Sequence, residues 1–342
     1  MLAMMLYEPE RFSVIDVPQP EPGPGQALVR VRSAGICASD IATIRGYSPI
    51  AAYPVIPGHE CIGEVVTAEA GSGYKPGDLV TVFPSVGCGA CKACDEGRTN
   101  HCAEFKVLGI GLPGGCFAEY IVVDNEQLVP ISEEIYKRFG PLVEPLAVGS
   151  HVNRRGGTQP GETVLVIGAG AIGLCCALIA RSRGARRVVL VDRFESRGAV
   201  ARQLGFDDFT TASGPDLVAW LADTVGQVDL VLDNACTRET LKAGTQALRP
   251  GGRVVLVGLP HGDSEIPIPY TDAYRKEINF LISRNYMRQD FIDTIEAIEQ
   301  GMVDPSPLVT ATFPLAEMDA ALEQLAKHPD RHIKVLVTPP GS

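Results

Sequence analysis

The chain has 342 residues, 45% hydrophobic and 21% charged, which at roughly 150 residues per domain is enough for about two domains. Thirty Lys and Arg against 41 Asp and Glu leave a formal net charge of −11. That balance excludes a nucleic-acid partner, which needs a basic face, and the hydrophobic content excludes a disordered chain. One small anionic substrate, met by one or two local cations, remains open.

The N-terminal stretch Met1 to Phe12 has no basic segment and a short apolar run, and it reaches Glu8 and Glu10 at once. No secretory leader is expected. The longest uncharged stretch, Val164 to Ala180, is punctuated by Gly168, Gly170 and Gly173, and reads as a strand turning into a helix rather than a membrane span. The expected compartment is the cytoplasm, where the ten cysteines would be metal ligands or core thiols and not disulfides.

In chain order, Pro18–Gly25 reads as a surface loop, Leu28–Arg32 as a strand, and Cys61–Ala68 and Asp78–Phe83 as strands joined by the turn Lys75–Asp78. This half is mostly β. The pattern changes near Gly140. The segments Val164–Ile167, Val188–Val191, Val228–Leu232 and Val254–Val257 are apolar runs of the kind buried on both faces. Helical patterns separate them at Phe194–Leu204, Pro215–Thr224 and Arg238–Leu248, and Phe280–Ser283 is a further strand. Repeated β-α units predict an α/β fold with a doubly wound parallel sheet. A helix over Asp290–Gln300, a helix over Leu315–Lys327 and the strand Ile333–Val337 follow, and this last piece is expected to return to the first domain.

Gly168-Ala169-Gly170-Ala171-Ile172-Gly173 lies between a strand and a helix. The first glycine makes the turn, the second admits a pyrophosphate and the third lets helix and strand pack closely, while the helix N-terminus offers free N–H groups. Asp192 ends the next strand, where a carboxylate accepts ribose hydroxyls and repels a 2′-phosphate. NAD is therefore expected over NADP, although Arg193 beside it is a group that can hold a phosphate. Arg197 is a further cofactor candidate.

Cys88, Cys91, Cys94 and Cys102 are separated by two, two and seven residues. Four thiolates so close in a Gly-rich loop fit one structural Zn²⁺; two disulfides or an iron–sulfur cluster are the alternatives. Cys37-Ala38-Ser39-Asp40, Gly58-His59-Glu60 and Glu144-Pro145 stand far apart. Taken singly, Cys37 reads as a small buried hydrophobe, His59 as a satisfied loop histidine and Glu144 as a surface acid.

Taken together, in this order and with the glycine turn, these motifs resemble the zinc-dependent medium-chain dehydrogenases, the alcohol, sorbitol and threonine dehydrogenases, over nearly the whole chain. The resemblance implies a GroES-like, mostly β catalytic domain at 1–147 and 286–342, with the structural zinc lobe at about 86–104, and a Rossmann NAD-binding domain at 148–285. It implies two zinc ions per chain. The catalytic one would be held by Cys37, His59 and an acid, Glu144 in the polyol branch, with Glu60 behind it or exchanging with it. Such a zinc acts as a Lewis acid on the substrate hydroxyl, whose carbon gives hydride to NAD. Ser39 matches the family's proton-relay hydroxyl. Ala42 stands where sorbitol-type members carry a relay histidine, and threonine dehydrogenases use a histidine near the same point.

Arg45-Gly46-Tyr47-Ser48-Pro49, Tyr53-Pro54, Asp233-Asn234-Ala235-Cys236 and Ser283-Arg284-Asn285 look closest to the bacterial branch acting on hexonates such as L-gulonate or L-galactonate. A sugar acid needs a cation at its carboxylate, for which Arg45 and Arg284 are candidates, with Asn285 beside the latter. Val257, Gly258, Leu259 and Ser283 end strands at the expected cofactor crevice. The expected function is oxidation of a secondary hydroxyl of a polyol or sugar acid by NAD. L-threonine 3-dehydrogenase and a non-catalytic zinc- and NAD-binding sensor are the alternatives. The resemblance also implies a homodimer or homotetramer built through the last strand of the nucleotide domain.

Overall fold

The computed structural model describes residues 1–258 and 265–341. Two compact units divide the chain. The first holds Met1–Glu144, Met287–Phe291 and Val309–Ser342; the second holds Pro145–Tyr286 and Ile292–Leu308.

The first unit is built on a seven-stranded sheet. Its main path runs Val309–Pro314, Lys334–Thr338, Gln26–Gly35, Glu60–Ala68, Leu79–Val82 and Leu128–Pro130, and Tyr120–Asp124 also pairs with Gln26–Gly35. All pairings are antiparallel except that of Val309–Pro314 with Lys334–Thr338. The C-terminal strand thus lies against Gln26–Gly35, with Leu336 opposite Gly35. Its apolar face joins Val29, Val31, Val65, Val80, Phe117 and Val335 in one core.

The second unit is a six-stranded parallel sheet ordered Phe209–Thr210, Arg187–Val191, Thr163–Ile167, Val228–Asp233, Leu248–Leu256 and Asn279–Ile282. Thr163–Ile167 is buried along its whole length, which accounts for its unbroken apolar run. The order reverses between Thr163–Ile167 and Val228–Asp233, and ligands of such sheets bind at the carboxyl ends of strands at that point. The α/β class and the doubly wound sheet match the expectation from sequence.

Several local features differ from that expectation. A helix covers Val143–Gly156, hidden in the sequence by Pro141 and Pro145, which a first helical turn tolerates. Another covers Tyr270–Lys276. The stretch Leu315–Lys327 is a 3₁₀ turn, Leu315–Glu317, followed by the helix Met318–Lys327. Residues 292–308 group with the second unit and not with the first, because the turn Ser306–Leu308 packs on the helix Glu195–Gln203. Among the described residues no helix is long and apolar enough to cross a membrane.

Candidate metal centre and nucleotide turn

In the first unit Cys37 stands in extended conformation at the start of the helix Ala38–Ile44. The buried carboxylate of Asp40, in the first turn, accepts the Cys37 N–H at 2.8 Å through Oδ2 and faces His59 Nδ1 at 3.1 Å through Oδ1. With Nδ1–H donated to Asp40, His59 presents Nε2 as its ligand atom. Ser39 Oγ lies 3.4 Å from that nitrogen. Gly58 precedes His59 at φ +96°, and a Cβ there would strike the Phe117 ring at 2.7 Å, so the turn that delivers His59 requires glycine. Burial opposes charge on His59, but Asp40 and then Cys37 outweigh it and hold its pKa well above the ordinary value.

Glu60 opens the next strand and is fully buried. Ligand atoms of Cys37, His59 and Glu60 lie within 4.8 Å of one another. A thiolate, an imidazole and a carboxylate at that spacing fit one Zn²⁺, whose tetrahedral ligands stand about 3.6 Å apart, and leave a fourth position open. Glu144 is buried in the first turn of Val143–Gly156 but is not one of this group. The structure therefore brings Glu60, not Glu144, into the donor set.

Lys334 explains how Glu60 is held. Its Nζ donates to both Glu60 oxygens, at 2.7 and 2.8 Å, and to the Ile36 carbonyl at 3.2 Å, with both side chains sealed from solvent. Burial opposes the ammonium, yet Glu60, Cys37 and Glu144 raise its pKa, so the lysine stays charged. A Cβ at Gly35 would overlap the Glu60 carboxylate. Neither Lys334 nor Gly35 was singled out from sequence. The signal was there: a lysine inside the apolar run Ile333 to Val337.

The second cluster belongs to a small lobe. Cys88, Cys91, Cys94 and Cys102 have sulfurs within 4.8 Å of one another, with Cys91 Sγ 3.6 Å from Cys94 Sγ and the Cys88 N–H on Cys102 Sγ at 3.3 Å. The Gly89 N–H lowers the Cys94 pKa, but burial and the thiols of Cys91, Cys102 and Cys88 carry it up to about 11. Four thiols converging on one point are the donor set of a closed Zn²⁺ site. The lobe's own core is only Cys102, Phe105, Val107 and Ile110, too little to fix the loop by burial alone. No cysteine among the described residues is in a disulfide.

In the second unit the glycine turn leaves Thr163–Ile167 and enters the helix Ala171–Ser182. Gly168 has φ +90°, and a Cβ on Gly173 would overlap the Gly168 carbonyl, so neither position admits another residue. Ala171 and Ile172 form the first turn, after Gly170 at the N-cap. Asp192 does more than its sequence position suggests. Its Oδ2 accepts the Ala169 N–H at 2.8 Å and Arg197 Nη1 at 2.7 Å, and its Oδ1 accepts the Phe194 N–H at 3.0 Å. Arg193 and Arg197 lie over the Phe194 ring, at 4.7 and 5.1 Å.

The remaining candidates are placed as follows. Val257 and Gly258 follow the strand Leu248–Leu256, with Val257 N–H on the Asp233 carbonyl at 2.9 Å. Leu259 lies outside the described residues. Ser283 is buried, and its backbone N–H donates to the Leu256 carbonyl at 3.0 Å. Arg284 is exposed, and Asn285 takes φ +53° with its Oδ1 accepting the Tyr286 N–H at 2.8 Å. Arg45 is exposed at the end of Ala38–Ile44, and Ala42 is half-buried in that helix.

Comparison with known proteins agrees with this chemistry. Residues 23–133 match the alcohol dehydrogenase GroES-like domain, and 171–300 match the zinc-binding dehydrogenase domain. The L-galactonate-5-dehydrogenase of Escherichia coli K12 is 34% identical, covering 93% of each chain. A sorbitol dehydrogenase of Arabidopsis thaliana is also 34% identical, covering 90% of this chain and 87% of its own. Two solved structures superpose with TM-score 0.91 over 99% of both chains. One is an alcohol dehydrogenase from Escherichia coli CFT073 complexed with NADH, 30% identical. The other is a zinc-binding dehydrogenase from Sinorhizobium meliloti 1021 bound to NADP, 32% identical. The chain belongs to the zinc-type medium-chain dehydrogenases, in their polyol and hexonate branch.

Proposed function

We propose that the protein oxidises a secondary hydroxyl of a polyol or sugar acid, such as L-gulonate or L-galactonate, with NAD. The observation that carries the reading is the donor set of half-buried Cys37 with buried His59 and Glu60, aligned by Asp40 and Lys334. When bound, zinc supplies a Lewis acid that lowers the pKa of a hydroxyl held against it, and NAD takes up the hydride.

The chain's own residues supply the rest. Cys37, His59 and Glu60 would hold the first zinc, with Glu144 the acid that would exchange with Glu60. Cys88, Cys91, Cys94 and Cys102 would hold the second. Ser39, within reach of His59 Nε2, is the hydroxyl placed to pass the substrate proton outward. With alanine at position 42, no histidine continues that relay from this helix. The glycine turn and the N-terminus of Ala171–Ser182 receive the pyrophosphate, and Asp192 receives the adenosine ribose. The lone pairs Asp192 already spends on Arg197 and two backbone N–H groups keep its carboxylate in place for that contact. Arg45 and Arg284 are the candidate cations for a substrate carboxylate. We place the enzyme in the cytoplasm.

The edge strand Asn279–Ile282 carries an exposed Ile282, and the nearby helix shows Tyr270 and Tyr274 stacked 6.1 Å apart and open to solvent. An exposed strand edge with apolar neighbours supports a homo-oligomer formed through this edge. A panel of hexonates, polyols and β-hydroxy amino acids, assayed by NADH formation, tests the reading. Turnover confined to threonine, or turnover with none, would overturn it.

A further inference from the structure

The turn that receives the pyrophosphate is gripped from two sides. Asp192 holds one side, through the Ala169 N–H. On the other stands Asn234, one residue past the end of the strand Val228–Asp233, a position for which the motif has no requirement.

Asn234 touches both the strand before the turn and the helix after it. Its backbone N–H donates to the Ile167 carbonyl, the last before the glycines, at 2.8 Å. Its side-chain Nδ2 donates to the same carbonyl and to that of Leu232, each at 3.3 Å. Its Oδ1 faces the Cys176 thiol, on the helix that leaves the turn, at 3.9 Å. Two carbonyls on one side and a thiol donor on the other fix which way the amide points. The side chain also fills the space the glycines leave open. A Cβ on Gly168 would come 3.3 Å from Asn234 Cβ, and one on Gly173 would come 3.4 Å from Nδ2.

We infer that Asn234 is a positioning residue for dinucleotide binding: its amide ties the strand before the glycine turn to the helix after it and keeps Gly168 in its φ +90° conformation. The inference rests on the assignment of this turn to the pyrophosphate. An aspartate is almost the same shape but has no N–H, and its charge would face two carbonyl oxygens. An alanine leaves the frame unfilled. Either change lets the turn relax, and the helix N–H groups then meet the phosphates out of line.

The test compares ligands with and without phosphates on Asn234→Asp and Asn234→Ala. Binding of NADH is followed by fluorescence, and that of ADP-ribose and adenosine by calorimetry. NADH and ADP-ribose should weaken at least tenfold, while adenosine stays within twofold. If Asn234→Asp does not fold, Asn234→Ala decides by the same comparison. Asn234→Ser, whose hydroxyl can still donate to Ile167, should regain part of the loss. NADH affinity within twofold of the parent in the folded variants would overturn the inference, as would equal losses for adenosine and ADP-ribose. Failure of the unaltered protein to bind NADH would instead remove the nucleotide assignment itself.

Discussion

Replacing Lys334 by methionine separates two roles of Glu60. The methionine keeps most of the apolar stem and removes the charge. Glu60 is then left buried beside Cys37, without the ammonium now 2.7 and 2.8 Å from its oxygens. Removing one partner of a buried ion pair costs about 3–5 kcal/mol, because an uncompensated charge stays behind. That cost falls in full on the metal-free protein, where Lys334 is the cation on Glu60. With zinc in place, the metal compensates the same carboxylate and the cost is smaller.

The two states are linked, so whatever destabilises the free protein more than the loaded one strengthens metal binding by the difference. If zinc recovers about 1.4 kcal/mol of the loss, affinity rises about tenfold. Lys334→Met should therefore lower the urea midpoint of the metal-free protein clearly, lower that of the zinc-loaded protein less, and bind zinc at this centre more tightly. Zinc competition with a chromogenic chelator and paired urea titrations measure all three. Adding Glu60→Gln should cancel most of the stability loss, since it removes the stranded charge. Equal losses with and without zinc, or weaker zinc binding, would refute the placing of Lys334 as a competitor for Glu60.

Asp40→Asn should weaken zinc at the Cys37 centre about 10- to 100-fold by loosening His59, as metal titration will show, while the four-cysteine lobe keeps its ion. Cys91→Ala should reduce metal content from two zinc ions per chain to one, with proteolysis then concentrated between residues 86 and 104. Asp192→Ala should weaken NADH more than loss of a ribose contact explains, since the Ala169 N–H loses its acceptor as well; competition with ADP-ribose measures it. Asp229 is raised by burial but brought below its ordinary pKa by Arg249 and the Thr163 N–H. A carboxylate depressed in this way stabilises the fold above its unfolded pKa, near 4, and loses that contribution as pH falls. Asp229→Asn should therefore unfold earlier than the parent at neutral pH, and the gap should close under acid.

What the sequence disclosed follows the range of the interactions. The four cysteines and the glycine turn are local, so spacing alone carries their geometry. The strands of the parallel sheet are legible because burial on both faces leaves unbroken apolar runs. Cys37 and His59 are ambiguous singly and meaningful only as an ordered set. Asp40 was visible as a letter in a motif, but its grip on His59 needs the coordinates, since a separation of 19 positions along the chain says nothing of the angle between two side chains. Lys334 and Glu60 are 274 residues apart and meet only because the C-terminal strand returns to the first sheet.

The contrast between Glu60 and Glu144 follows from the same point. The Glu-Pro motif made Glu144 the expected ligand by resemblance. The backbone instead turns Glu60 toward Cys37 and His59, with Gly35 vacating the space for its carboxylate and Lys334 neutralising it. A carboxylate already matched by a buried lysine is a weaker ligand than its position suggests, and Glu144, buried and close enough to raise the Lys334 pKa, is the second carboxylate of that charge balance. On the proposed reading, one zinc ion and Lys334 would set three positive charges against the four acidic side chains Cys37, Asp40, Glu60 and Glu144. A neutral polyol or the hydroxyl end of a sugar acid would then suit the centre, and a substrate carboxylate would need a cation such as Arg45 or Arg284.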